Sequence, residues 1–187
     1  MGKIVYSYIA KPGETIKAKE ELYKNIDIKI QLAGLILISF EIVKNLVIEP
    51  IKAFYQYVTF RPGLPFKTYE LDVLSRDKHE FKACLLYLCD FMEAINKDDI
   101  NVIMDLMEKR NLVAHELSSI LETFEINDYY QVALKVKEVL FKISNYRINM
   151  ELRADPKFKH LSWNEVVGDE YILFEKILET IKNGMKI

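Results

Sequence analysis

From Asp27 to Ile181, apolar residues recur at three- and four-residue intervals, and few residues interrupt the pattern. Six glycines and five prolines in 187 residues leave little material for the turns of a β-architecture. The chain is therefore expected to be all-α, a single-domain bundle of roughly six helices spanning residues 1–187. Half of its residues are hydrophobic and 29% are charged, a balance that supports a sizeable core and argues against a disordered chain.

Taken in order, Lys3 to Ala10 alternates loosely, and residues 1–13 read as an extended N-terminal arm closed by Lys11-Pro12-Gly13. Glu14 to Lys24 reads as an exposed helix. Asp27 to Ile48 is the most apolar helix and is expected to be central. Pro50 fits a kink or a new first turn, and Phe60 to Pro65 reads as a loop. A helix is expected over Ser75 to Ile95, with Asp77 and Glu80 in capping-box spacing. Asn96 or Asp98 can cap the next helix, which runs to about Thr123. Asn127 to Arg153 forms another, stopped by Asp155-Pro156. Ser162 and Glu165 give a second capping-box pattern, with Trp163 beneath the turn. The final helix is expected over Asp169 to Asn183, with Ile172, Leu173, Ile177 and Ile181 inward and Gly184 as its C-cap.

Several function classes are set aside by what the residues offer. A formal net charge of −2 does not suit a general nucleic-acid coat, so any RNA contact must be local. No glycine-rich phosphate loop is present, and neither the three histidines nor the cysteines show zinc spacing; no metal and no cofactor are expected. Asp98, Asp99 and Asp128 read as helix caps rather than cation ligands. The apolar run from Leu32 to Phe40 is too short for a membrane span. Cys84 and Cys89 fall on different sides of one helix, and they read as reduced core residues of a cytoplasmic protein. Tyr55, Tyr57, Tyr129 and Tyr130 read as core rim or as an aromatic binding surface.

The chemistry concentrates in Glu108-Lys109-Arg110-Asn111-Leu112-Val113-Ala114-His115-Glu116. His115 has the side chain suited to acid–base work near neutral pH. Arg110 supplies a permanent planar cation for phosphate oxygens, and Asn111 can donate to the same phosphate or hold the ring. On an unbroken helix Asn111 and His115 lie about 40° apart, whereas Arg110 and His115 lie about 140° apart. Such a helix cannot aim all three at one atom. Either it begins or bends near Arg110, or a second copy completes the site. Glu41, Lys44 and Asn45 share a face of the central helix. Glu41 reads either as an i,i+3 partner of Lys44 or as a carboxylate orienting His115, and Glu116 is a further supporting candidate. The plain structural alternative is a buried polar knot, with His115 bonded to a main-chain carbonyl.

Arg110-Asn111 followed by three residues and His115 resembles the signature of the HEPN superfamily, in which an Arg, a polar residue and a His lie on one helix. The lead-in Ala94 to Ile100 and the Leu112-Val113-Ala114 spacer resemble it as well. The resemblance implies a helical ribonuclease fold and a two-fold homodimer in which two motifs meet across the interface. It also implies metal-independent RNA cleavage by attack of the ribose 2′-OH, with Arg110, Asn111 and His115 as the catalytic set. An antitoxin or regulatory protein would be a further partner, in a prokaryotic defence or toxin–antitoxin setting. Leu117 departs from the pattern, because antitoxin-modified members often carry Tyr there. Some relatives keep the fold as non-catalytic nucleotide- or partner-binding modules.

Overall fold

The longest element, α1 (Ile26–Tyr57), is a 32-residue helix that the other long helices surround. The computed structural model describes residues 25–57 and 67–185, with the backbone alone for residues 57 and 117–120. The expected arm over 1–13, the helix over 14–24 and the loop over 60–65 lie outside the described residues. Among those described, six α-helices and two 3-10 turns occur and no strand. The remaining α-helices are α2 (Tyr69–Asp72), α3 (Glu80–Asp90), α4 (Lys97–Thr123), α5 (Ile126–Leu152) and α6 (Asp169–Gly184). No described helix is long and apolar enough to cross a membrane.

α1 is central because it is apolar over more than one face. Leu32, Leu35, Ile36, Val43 and Val47 are sealed among α3, α4, α5 and α6. Full burial of such side chains stabilises the fold by about 1.5–3 kcal/mol each. Pro50 neither starts nor ends a helix here; it sits inside α1, and Ile51 just beyond it is buried. The proline removes one intrahelical hydrogen bond, and the packing of the following turn outweighs that loss.

α3 is shorter than the spacing predicts. Asp77 accepts a hydrogen bond from the His79 amide at 2.9 Å instead of capping a helix, and His79 is the N-cap. The far end stops at Asp90, and Glu93 takes a left-handed φ of 53° as the chain turns away. α4 starts as its sequence indicates. The Asn96 side chain accepts from the Asp99 amide and the Asp99 carboxylate accepts from the Asn96 amide, each at 2.9 Å. Asp99 is buried, and Lys142 of α5 meets it at 2.7 Å.

α5 buries Val132, Val136, Val139, Leu140 and Ile143, the face its spacing marks. Ser162 and Glu165 do not open a helix; their backbones close a turn at 2.9 Å. The segment after α5 is strapped to it instead. Asn145 donates to the Trp163 and Val166 carbonyls at 2.7 and 2.8 Å, and Asn149 reaches the Trp163 carbonyl at 3.1 Å. α6 then begins after Gly168, whose amide donates to Ser144 Oγ at 2.8 Å. Its inward stripe is Phe174, Leu178 and Ile181 with Ile177 beside it, while Ile172 and Leu173 are exposed at 40% and 52%. Gly184 is the last residue of α6 and Met185 is the C-cap. Cys84 is buried and Cys89 half-buried, both as free thiols.

Candidate active site

α4 is helical from Lys97 through His115 and breaks its geometry at Glu116, which has φ −129° and ψ 19°. The bend therefore falls after His115 and not at Arg110. Arg110 and His115 stay on one regular stretch, about 140° apart around the axis. Asn111 and His115 are one turn apart, and both are exposed. Among the described residues nothing hydrogen-bonds the His115 ring. The buried polar knot is not what forms: the imidazole faces water.

Arg110 is held from three sides. Its Nη1 donates to Asn111 Oδ1 at 3.2 Å, its Nη2 lies 3.5 Å from Glu41 Oε1, and its guanidinium sits 5.2 Å from the Phe40 ring centroid. Phe40 and Glu41 are neighbours on α1, so that helix builds both the floor and the counter-charge for Arg110. Glu41 also stands 3.9 Å from Lys44, the i,i+3 pair read from the sequence. Among the described residues no contact joins Glu41 to His115. The carboxylate meets the cation and does not orient the imidazole. Glu116 is exposed at the bend itself.

About 100° around α4 from Arg110, Lys109 forms a second polar clamp. It pairs with Asp128 and lies 5.0 Å from the Tyr129 ring, which stacks on Phe124 at 3.9 Å. Burial, the largest single influence, lowers the Lys109 pKa; the Asp128 hydrogen bond and charge, with Tyr129 and Asp105, together outweigh it, and the net shift is upward. Just past the bend, Lys29 Nζ donates to the Leu121 carbonyl at 2.6 Å and ties the end of α4 to the start of α1. Neither Phe40 nor Lys29 stands out in the sequence as part of this region. Both are distant in the chain, and their neighbours suit an ordinary core helix.

The tyrosines do not make one binding face. Tyr55 points its hydroxyl inward to Asp72 at 2.6 Å and Tyr87 at 3.1 Å, and Tyr129 is buried. Tyr130 is half-buried, and the Tyr57 side chain lies outside the described residues. Among the described residues no group of three His, Cys, Asp or Glu side chains is placed to hold a metal ion. Compared with protein-family models, curated proteins and solved structures, the chain matches none.

Proposed function

We propose that the chain is a metal-independent endoribonuclease of the HEPN kind, working as a cytoplasmic two-fold homodimer in a prokaryotic defence or toxin–antitoxin system. RNA is its substrate, and an antitoxin or regulatory protein is its further partner. The observation that carries this reading is the exposed imidazole of His115, with no hydrogen-bond partner among the described residues, one turn from Asn111 and on the same regular helix as Arg110.

In the reaction, an imidazole takes the proton of a ribose 2′-OH. The freed oxygen attacks the adjacent phosphorus, and the 5′-oxygen leaves with a proton from a second acid. Arg110 balances the charge on the phosphorane, which is where a fixed cation lowers the barrier most. Because Arg110 and His115 diverge around α4, a second copy brings its own motif opposite the first and supplies the second acid. For phosphate to reach the Arg110 fork, Glu41 must yield its place.

The test is cleavage of RNA by the purified chain in EDTA, with His115→Ala beside it. Loss of a general acid–base group lowers the rate by about 10²–10⁴-fold. An exposed position predicts an unchanged melting temperature. Cleavage by His115→Ala at the native rate overturns the reading.

The hold of Glu41, Asn111 and Phe40 on Arg110 favours a second reading, a non-catalytic nucleotide- or partner-binding module in which the cation is already neutralised. Purified chain with no cleavage, but with a nucleotide or second protein co-eluting, decides for this alternative.

A further inference from the structure

Ion pairs answer the charges of Lys52, Lys109, Lys142, Arg110 and Arg147. The connection between α5 and α6 breaks that pattern. Arg153, Lys157 and Lys159 stand there close together in the chain, all exposed, and none has an ion-pair partner among the described residues. His160 follows and is exposed as well. The one acid among them, Asp155, is occupied: its Oδ1 accepts the Lys157 amide at 2.9 Å and caps the 3-10 turn Pro156–Phe158. A chain of net charge −2 thus gathers unanswered positive charge in one short segment.

The segment is held in shape. The Phe158 amide donates to the Asp155 carbonyl and the Leu161 amide to the Phe158 carbonyl, each at 3.1 Å, so two turns follow one another. Asn145 and Asn149 then strap Trp163 to α5. Phe158 and Trp163 are half-buried, and neither ring meets another ring or a cation among the described residues. Elsewhere rings do find such partners, as Phe124 does on Tyr129 and Phe40 beneath Arg110. Free cations beside free ring faces suit a polyanion that carries a flat aromatic group with every charge. A polynucleotide strand is such a polyanion, with phosphates for the cations and bases for the rings. A single strand, unlike a duplex, leaves its bases open to stacking. None of the large exposed apolar side chains lies between residues 151 and 171, so the segment has little to sink into a lipid surface.

We propose that residues 153–163 bind a single-stranded polynucleotide, its phosphates on Arg153, Lys157 and Lys159 and its bases against Phe158 and Trp163. The site lies apart from the candidate active site. α4 and α5 run antiparallel, with Lys109 beside Asp128 and Asp99 beside Lys142. Arg153 therefore stands about 37 Å along α5 from Asp128, towards the opposite end of the bundle from His115. The two regions share no residue, and strand binding here stands or falls independently of RNA cleavage.

Trp163 is the single tryptophan of the chain, so its fluorescence reports on this segment alone. Titration of the full chain with an oligo(A) RNA of about 12 nucleotides, in EDTA and low salt, is expected to quench that emission with a Kd of about 1–100 μM. Three phosphate contacts on a single strand give a slope of about −2 in log K against log salt. Arg153→Gln, Lys157→Gln and Lys159→Gln together, at three exposed positions, should keep the melting temperature, weaken binding at least about tenfold and flatten the slope towards zero. Inorganic polyphosphate of equal charge lacks bases; it should bind at least about fivefold more weakly than the strand and leave the emission unquenched. No quench below millimolar strand, unchanged affinity in the triple variant, polyphosphate binding as tightly as oligo(A), or tighter binding to phosphatidylserine vesicles than to the strand would each overturn the proposal.

Discussion

Arg110 of α4 and Glu41 of α1 face each other at 3.5 Å across the groove between their helices. The pair is half in water, with side-chain exposures of 31% and 50%. An ion pair so placed contributes only about 0–1 kcal/mol to stability. Glu41→Gln should therefore leave the melting temperature nearly unchanged and, under the proposed ribonuclease function, strengthen RNA binding by up to about fivefold, the equivalent of 1 kcal/mol. Filter binding at fixed ionic strength reads the effect. Weaker RNA binding in Glu41→Gln would show that the carboxylate supports the site instead of competing for it.

α6 gives a test of its rotational setting. Its two consecutive apolar pairs, Ile172-Leu173 and Ile177-Leu178, allow more than one inward face. The structure selects Phe174, Leu178 and Ile181. Phe174→Ala should cost about 3–5 kcal/mol in urea unfolding, as deletion of a sealed aromatic does. Leu173→Ser should cost no more than about 0.5 kcal/mol. Comparable losses would place α6 in the other rotation.

The same contrast shows what the sequence could carry. Helix existence was legible wherever spacing was strict, as in α5, and the start of α4 was legible because Asn96 and Asp99 form a local device three residues apart. Phase was lost in α6, where adjacent apolar residues satisfy two faces at once. α3 read too long because Met92 and Ile95 continue the apolar period beyond the turn at Glu93; Ile95 is buried even outside the helix. At the candidate site, the sequence marks Arg110, Asn111 and His115, which are neighbours in the chain. The hold of Phe40 and Glu41 on Arg110 is a contact across about 70 residues, and no local pattern encodes it.

Gly168 stands where a side chain would collide with a polar knot. A Cβ there would lie 2.6 Å from Glu170 Oε2, 2.8 Å from Arg147 Nη2 and 3.3 Å from Ser144 Oγ. Its φ of −83° suits any residue, so the constraint is space and not backbone conformation. Gly168→Ala should push the Arg147–Glu170 pair apart and cost about 1–2 kcal/mol. In a double-mutant cycle, much of that cost should vanish in a Glu170→Ala background, because the displaced contact is already gone. Full additivity of the two substitutions would remove this explanation.

Glu80 ties α3 to α1 and gives the fold an acid-sensitive joint. Its carboxylate meets Lys52 Nζ at 3.0 Å and accepts from Tyr69 at 3.1 Å. The Lys52 hydrogen bond is the largest cause of its lowered pKa; partial burial opposes the shift, and the Tyr69 hydroxyl adds to it. A carboxyl group whose folded pKa is depressed releases its proton more readily folded than unfolded. Its stabilisation is therefore fully present above the unfolded value, about 4.3, and fades as pH falls through the folded one. Lys52 titrates far above this window and stays charged throughout, so the acid-side loss belongs to the carboxylate. Urea midpoints of the native chain and Glu80→Gln should differ most from about pH 5 to 7 and converge below about pH 4. A difference that stays constant down to pH 3 would mean that Glu80 acts through packing or neutral hydrogen bonding, with no contribution from its charge.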